Sequence, residues 1–420
     1  MSRARRLTPA AYLLLGATCF LVLGGTLMIF SASSVADYVK YGDSAYHLKK
    51  QLIFAVVGAL ALYGASWWDF RIGRRGSMDI RRPEVLAWAV WGVSFLGLIV
   101  VEATGVAKWG ATRSIDLGFA YIQPSEFAKL GCLAVVAVLL VAWRKREIDT
   151  RTLLVRMAWA VGPVVVLIML QPDMGTTMSL LLGVVVLLWL AGVKGRWLAS
   201  LAAVGLPSAA LLIAVAGYRM DRVTAFLDPW AQPDKGGYQI IQSLYAFGSG
   251  GFFGVGLGLS RQKFFYLPAA HTDFIFAVIG EELGLAGTLS VVLAFALFAY
   301  AGIKIALDCK DLFGRLLAGG LTAMIVVQAL MNMAAVTGLM PITGIPLPLV
   351  SAGGSSLTLT LACVGLILAV ARNSTGARVR LVRPTKTRGS ARASTVEWRR
   401  DSRPHLPGAD GGRSTRGRGA

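Results

Sequence analysis

Apolar stretches of membrane-spanning length, separated by polar loops, run along the chain from residue 10 to residue 371. A helix that crosses a bilayer needs about 20 apolar residues, and ten stretches approach or reach that length with almost no charge. They are Ala10–Ser31, Gln51–Trp68, Val85–Thr104, Phe127–Trp143, Leu153–Leu170, Met174–Val193, Trp197–Tyr218, Leu283–Leu307, Leu316–Met340 and Leu357–Ala371. The pattern predicts an all-α polytopic membrane protein with ten transmembrane helices.

The charge distribution predicts the orientation of these helices. The 420 residues are 55% hydrophobic and only 15% charged, with a net charge of +20. Lysine and arginine are concentrated in alternate loops, such as the one from Arg71 to Arg82, and in both terminal tails. The positive-inside rule therefore puts both termini in the cytoplasm, and an even number of spans agrees with that. The large loop 219–272, between spans 7 and 8, is then extracellular.

These features divide the chain into a short N-terminal tail (1–9), a membrane domain (10–371) and a basic C-terminal tail (372–420). The C-terminal tail is rich in Arg, Gly, Ser and Pro, so it cannot bury a core and is predicted to be disordered. Basic tails can bind nucleic acid, but no folded nucleic-acid module accompanies this one. Attraction to anionic lipid is the favoured interpretation, and no nucleic-acid partner is expected.

Polar residues at the outer ends of the spans are candidates for chemistry. Glu126 and Lys129, three residues apart, share a helix face and are predicted to pair; a charge such as Lys129 within a span usually faces the bundle interior. Asp173 follows Pro172 between two spans, where it suits either a helix N-cap or a functional site. The two roles are compatible.

The most informative outward segment ends at Asp273, which precedes a long apolar stretch. An acid at the top of such a helix is costly unless it faces water or a cation, and Lys263 and His271 are its nearest cationic candidates in sequence. We therefore expect Asp273 to be functional, with a possible role as general base. Further on, the proline-rich stretch Pro341–Ser356 cannot form a regular helix. It is predicted to be a re-entrant loop that lines an outward cavity.

Taken in order, these segments resemble the FtsW/RodA family, also called SEDS proteins, and the resemblance runs from about the first span to Arg372. The matching segments are Gln123–Glu126 with Lys129, Gln171–Asp173 with Gly175, Gly237–Gln239, Gln242-Ser243, Gln262-Lys263, Leu267-Pro268, His271–Phe276, Gly280–Gly284, and the closing set Asn332, Gly338, Pro341, Gly344, Pro348 and Ser351–Ser356.

The resemblance implies a peptidoglycan glycosyltransferase that polymerises lipid II together with a class B penicillin-binding protein. It places the family's catalytic acid on Asp273. The candidate substrate-binding residues are Arg113, Gln123, Ser125, Glu126, Lys129, Asp173, Gln239, Lys263, His271, Glu282, Ser351, Gly353 and Ser355. The candidate cations for stabilising the pyrophosphate leaving group are Arg113, Lys129, Arg261 and Lys263, and a divalent cation (Mg²⁺ or Mn²⁺) is a possible aid.

The chain departs from the family pattern at three places. Ala269 stands where an acidic residue commonly follows Leu-Pro, Ala352 stands where a tyrosine is common, and Arg113 is followed by Ser114 instead of tryptophan. Any role that the family gives to those side chains is in doubt here.

Within the family, the stretch Lys263–Asp273 and the basic tail favour the FtsW branch, which acts with divisome proteins at the division septum in the plasma membrane. The stretch Met340–Gly344 could instead indicate the RodA branch, which serves elongation. A lipid II flippase is an alternative from another class, and a scaffold that recruits the penicillin-binding protein is a further one. Charges clustered at the outer ends of the spans favour catalysis over transport.

Overall fold

The computed structural model describes residues 7–68, 83–104, 106–108, 111–116, 121–215, 217–234 and 236–381. Its helices are α1 (Pro9–Tyr41), α2 (Tyr46–Ser66), α3 (Pro83–Thr104), α4 (Pro124–Arg144), α5 (Thr150–Leu170), α6 (Met174–Leu190), α7 (Gly195–Val215), α8 (Gly217–Leu227), α9 (Tyr238–Gly250), α10 (Ile275–Asp308), α11 (Leu312–Val336) and α12 (Gly354–Leu381). The basic residues of the loop Arg71–Arg82 and the C-terminal tail beyond Leu381 lie outside the described residues.

A helix occupies most of each of the ten predicted stretches, so their helical structure is confirmed, whereas their number as membrane spans stays a prediction. Among the described residues, eight helices are long and apolar enough to cross a membrane, namely α1 to α5 and α10 to α12. Helix α6 is apolar but has only 17 residues. The chain is therefore a multi-pass, largely helical membrane protein.

The segments that the sequence predicts to lie outside the membrane contain more structure than the apolar pattern predicted. Three short antiparallel strands, β1 (Val106–Lys108), β2 (Ala111–Asp116) and β3 (Tyr121–Ile122), lie between α3 and α4. The fold is thus not purely α-helical, because a polar loop can satisfy its backbone groups by pairing with itself. In the loop 219–272, two amphipathic helices, α8 and α9, flank a 3₁₀ turn at Pro229–Ala231.

Local sequence signals explain several helix boundaries. Thr8 caps α1, Asp149 caps α5 and Asp311 caps α11, each with its side-chain oxygen accepting from a backbone N–H of the first turn. Such caps satisfy donors that the helix itself leaves unpaired. Helix α12 continues ten residues past Ala371, the predicted end of the last span, to Leu381.

Helices α4, α11 and α12 form the interior of the bundle, because most of each apolar stretch is buried. Helix α1 packs against α10, and α10 against α11 and α9. Helix α10 bends at Gly284, whose φ is +65°, and a Cβ there would lie 2.4 Å from the backbone nitrogen of Gly254. This glycine lets the loop after α9 lie directly against α10.

Candidate active site

Asp273 lies in a tight turn immediately before α10. Ala269 begins the turn with a φ of +57°, and its carbonyl accepts hydrogen bonds from the backbone N–H groups of Thr272 (3.0 Å) and Phe274 (3.3 Å). A left-handed alanine is unfavourable, and such strained conformations persist where the surroundings over-determine them. Asp273 is partly exposed, whereas Phe274, the next residue, is buried.

Three consecutive carbonyl oxygens of this turn are held by donors from other parts of the chain. The backbone N–H of Ala352 donates to the carbonyl of His271 (3.0 Å). The hydroxyl of Ser351 donates to the carbonyl of Thr272 (2.5 Å), and the Asn332 Nδ2 donates to the carbonyl of Asp273 (2.8 Å). We call this set of three hydrogen bonds the carbonyl clamp. It orders the backbone around Asp273 before any ligand binds, a condition for efficient catalysis.

The clamp also ties the proline-rich stretch to α11. The second hydrogen of Asn332 Nδ2 goes to the carbonyl of Ile345 (2.8 Å), and Ser351 Oγ accepts from the backbone N–H of Leu347 (2.8 Å). Residues 341–353 contain no helix, which confirms the prediction of an irregular backbone there. The predicted site residues His271, Asp273 and Ser351 therefore lie together.

The His271 side chain lies against His47, with ring centroids 4.6 Å apart. Burial, and secondarily the neighbouring His47, lowers the pKa of His271 from 6.5 to about 4. Desolvation and a like charge both disfavour the imidazolium. The lowered pKa of His271 thus gives no support to its predicted role as a cationic partner of Asp273.

A second cluster lies eight residues further along and is fully buried. Glu282 accepts from Ser31 Oγ (2.6 Å) and from the backbone N–H of Ser260 (3.3 Å), and Lys263 Nζ lies 3.4 Å from its Oε1. The neighbouring Glu281 accepts from Ser260 Oγ and from the backbone N–H of Arg261 (2.9 Å). We call these residues the glutamate knot. Lys263 also donates to the carbonyl of Gly258, so this lysine is committed to internal contacts.

The predicted pairing of Glu126 and Lys129 is confirmed. Lys129 Nζ lies 2.7 Å from Glu126 Oε1 and 2.6 Å from Gln328 Oε1 of α11. Both charges are buried, with 1% and 5% of their side chains exposed. On the far side, Ser356 Oγ donates to Glu126 (3.4 Å), so this polar cluster links α4, α11 and α12 inside the bundle.

Asp173 caps α6, as the sequence allowed. Its carboxylate accepts from the backbone N–H (3.1 Å) and the hydroxyl (2.8 Å) of Thr176. Gln123, at the N-terminal end of α4, donates to it from Nε2 (3.3 Å). The structure thus brings together two predicted site residues from loops fifty residues apart.

The remaining predicted residues are more dispersed. Ser125 is buried in the first turn of α4, and its hydroxyl has no partner among the described residues. Gln239 lies in the first turn of α9, and Gly353 and Ser355 lie half-buried at the start of α12. Arg113 is on β2, and its side chain lies outside the described part of the chain.

Metal ligation has little support from the protein side chains alone. Among the described residues, no three His, Cys, Asp or Glu side chains converge as a metal site would require. A Mg²⁺ ion held mainly by substrate phosphates needs only one or two carboxylates, so the cation stays a prediction.

The family is decided by comparison of the whole chain with known proteins. The model of the cell cycle proteins FtsW, RodA and SpoVE matches residues 12–376. The chain belongs to the FtsW/RodA/SpoVE family. It is 41% identical to stage V sporulation protein E of Bacillus subtilis (strain 168), over 87% of this chain and 98% of that protein. It is 38% identical to the probable peptidoglycan glycosyltransferase FtsW of Geobacter sp. (strain M18), over 86% and 95%.

Solved structures of the FtsW/RodA/SpoVE family share the fold. A chain from a study of polymerization and crosslinking by a peptidoglycan synthase complex superposes with a TM-score of 0.68 at 31% identity, covering 86% of this chain and 97% of that one. The rod shape determining protein RodA of Thermus thermophilus gives 0.62 at 30% identity, covering 86% and 96%.

Sequence reasoning missed several residues that shape the site. Asn332 was noted only as part of a motif, although it anchors Asp273. Ser31 hydrogen-bonds to Glu282 of the glutamate knot, and Gln328 accepts from Lys129. Both are polar residues inside apolar stretches, which is the sequence feature that could have identified them. Asp37 and His47, at the outer ends of α1 and α2, were not considered at all.

Proposed function

We propose that this member of the FtsW/RodA/SpoVE family is a peptidoglycan glycosyltransferase that polymerises lipid II at the outer face of the cytoplasmic membrane. The observation that carries the proposal is the carbonyl clamp, which holds the turn of Asp273 at the start of a long apolar helix. The names of the FtsW relatives, probable peptidoglycan glycosyltransferases, and of the peptidoglycan synthase complex support the same reaction class.

In the proposed reaction, Asp273 acts as general base. Its carboxylate takes the proton from the 4-hydroxyl of the acceptor GlcNAc, and that oxygen bonds to the anomeric carbon of the donor MurNAc. The bond from that carbon to the pyrophosphate oxygen breaks, and the undecaprenyl pyrophosphate leaves with the electron pair. General-base help is worth about 10²–10⁴ in rate.

The leaving pyrophosphate needs positive charge or N–H donors to stabilise it. Lys129 and Lys263 are both engaged in buried pairs, so we assign them to the architecture of the site. Arg113 and Arg261 are better candidates, since Arg261 is exposed at the edge of the glutamate knot. A Mg²⁺ or Mn²⁺ ion bound through the substrate phosphates would supply further charge.

The membrane arrangement follows the charge pattern of the sequence. We propose ten spans with both termini in the cytoplasm, which puts α8, α9 and the turn of Asp273 outside. The partner would be a class B penicillin-binding protein that cross-links the strands. Relatives named FtsW share about the same length and 38% identity with this chain, which favours division and the septum over elongation.

The test uses the purified full-length chain with its penicillin-binding partner and labelled lipid II in detergent. We expect glycan strands on a gel, and Asp273→Asn should reduce their formation at least about 10²-fold with an unchanged melting temperature. Asp234→Asn, an exposed acid of the same outward segment, is the matched control and should polymerise normally.

Two results would contradict the proposal. Normal polymerisation by Asp273→Asn would remove the proposed base. Absence of polymer from the native chain, together with passage of lipid II across liposome bilayers, would support a flippase instead.

A further inference from the structure

Helices α8 and α9, with the 3₁₀ turn between them, form one packed unit. Both helices contact the turn Pro229–Ala231. A Cβ on Gly237, which precedes α9, would lie 2.1 Å from the carbonyl oxygen of Pro229, and a Cβ on Gly236 would lie 3.0 Å from the Cβ of Ala225 in α8. The absence of a side chain at Gly237 permits the closer of these approaches. We call this part of the chain the α8–α9 unit.

Two side chains of the α8–α9 unit bind the end of α11 and the start of the proline-rich loop. The fully buried hydroxyl of Ser243, on α9, donates to the carbonyl of Val336 (2.7 Å), the last residue of α11. The half-buried Arg222, on α8, donates from Nη1 to the carbonyl of Ile342 (3.0 Å), six residues further along the chain. We call these two hydrogen bonds the loop pins, because they hold the segment 336–342 at both of its ends.

The proline-rich loop continues from the loop pins directly to the carbonyl clamp. Three residues after Ile342, the carbonyl of Ile345 accepts from one hydrogen of Asn332 Nδ2, and the other hydrogen of that amide goes to the carbonyl of Asp273 (both 2.8 Å). Thr343 and Ile345 are both buried. Because a buried, close-packed backbone has little free space, a displacement at one residue is passed to its neighbours. A shift at Ile342 therefore reaches Asn332, and through it the turn of Asp273.

We propose that Arg222 and Ser243 are positioning residues, through which the α8–α9 unit sets the position of the Asp273 turn. The proposal rests on the proposed function, in which Asp273 is the base. Each of the two side chains donates to a backbone carbonyl of the structure that supports the turn. Their loss should therefore slow the chemical step and leave substrate binding intact, because a base held away from its productive geometry lowers turnover without changing affinity.

The first test is amide hydrogen exchange of the full chain in detergent micelles, measured by mass spectrometry without substrate. The hydrogen-bonded amides that report on the turn are those of Thr272, Phe274 and Ala352. In Arg222→Met, a charged donor is lost and local opening becomes easier, so we expect these amides to exchange about tenfold faster. The amides of Ser260 and Arg261, bound in the glutamate knot, are the internal reference and should exchange at the native rate.

The second test is the polymerisation assay with the penicillin-binding partner and labelled lipid II. Arg222→Met should lower turnover about fivefold and change the KM for lipid II by less than about twofold. Ser243→Ala loses a neutral donor and should lower turnover about twofold. The matched controls are Thr224→Ala in α8 and Ser249→Ala in α9, because each of these hydroxyls donates to a carbonyl of its own helix. Both controls should polymerise at the native rate.

A double variant shows whether the loop pins act through the carbonyl clamp. Asn332→Ala already releases the Asp273 turn, so adding Arg222→Met to it should cost less than about twofold more in turnover, whereas independent damage would multiply the two losses. The exchange and double-variant measurements are repeated with Ser243→Ala, the milder change, so that neither depends on the folding of one variant.

Three results would each overturn the proposal. They are turn amides that exchange at the native rate in Arg222→Met, losses that multiply in the double variant, and a raised KM with unchanged turnover, which would make Arg222 a substrate-binding residue. If the turn amides respond as expected but the native chain makes no polymer, the proposed function fails and the structural role of the loop pins stands.

Discussion

Two acidic regions of the outer segment, eight residues apart, use their polar groups in opposite ways. In the glutamate knot, the carboxylates of Glu281 and Glu282 are buried and bind the chain around Ser260. In the turn before α10, side chains of other elements donate hydrogen bonds to the backbone carbonyls instead. The Asp273 side chain itself is partly exposed. Buried, satisfied acids build a scaffold, and a partly exposed acid on a fixed backbone suits chemistry.

The sharpest test of this contrast compares stability in the two regions. Glu282→Ala leaves the Lys263 ammonium buried without its counter-charge, which costs about 3–5 kcal/mol. We expect a large fall in melting temperature, measured by size-exclusion chromatography of heated samples. Polymerisation should be lost as a consequence. Asp273→Ala should leave the melting temperature nearly unchanged, and a similar fall in both variants would erase the distinction.

The carbonyl clamp should control rate more than stability. Asn332→Ala removes the donor to Asp273 and the donor to Ile345, so we expect about a tenfold lower rate of polymerisation from the misplaced base. Ser351→Ala removes one donor and should have a smaller effect. Gln328→Ala, on the same helix but in the Lys129 cluster, is the control for general damage to α11. We expect it to lower the melting temperature more than Asn332→Ala does.

The strained turn offers a change in the opposite direction. Ala269 has a φ of +57°, which glycine adopts without the steric cost of a Cβ. Ala269→Gly should raise the stability by about 0.5–1 kcal/mol, seen as a higher melting temperature. An Ala270→Gly control, at a buried neighbour, should lower it, and a gain in both variants would contradict the explanation.

The last expected effect, which is confined to acid pH, is on stability. The pKa of His271 is lowered to about 4 from 6.5, so between these values the unfolded chain binds a proton that the folded chain does not. The contribution is complete above pH 6.5 and declines as the pH falls toward 4. His271→Gln should show a weaker decline of melting temperature over that interval. The lowered pKa values of Asp43 and Asp149 act at lower pH and should not obscure it.

Much of this architecture was predictable because the bilayer imposes strong rules on sequence. Apolar length located the ten helices, and the i,i+3 spacing of Glu126 and Lys129 predicted their pair, since both follow from local periodicity. Asp273 could be identified from the sequence as a candidate functional residue, because an acid beside an apolar helix is energetically costly unless it faces water or a cation. The outward β-strands were missed because polar loops carry no comparable length signal.

Contacts across the fold were decided only by tertiary structure. The sequence suggests both Lys263 and His271 as cations near Asp273. In the structure, Lys263 pairs with Glu282 and the His271 ring lies against His47. The sequence by itself determined which stretches are apolar helices and which acid stands out, because hydropathy and helical periodicity are local properties. Which donors hold the Asp273 turn, and which groups bury the His271 ring, depend on α1, α2, α11 and the proline-rich loop meeting in space, because desolvation and hydrogen bonding act on neighbours that the chain order does not reveal.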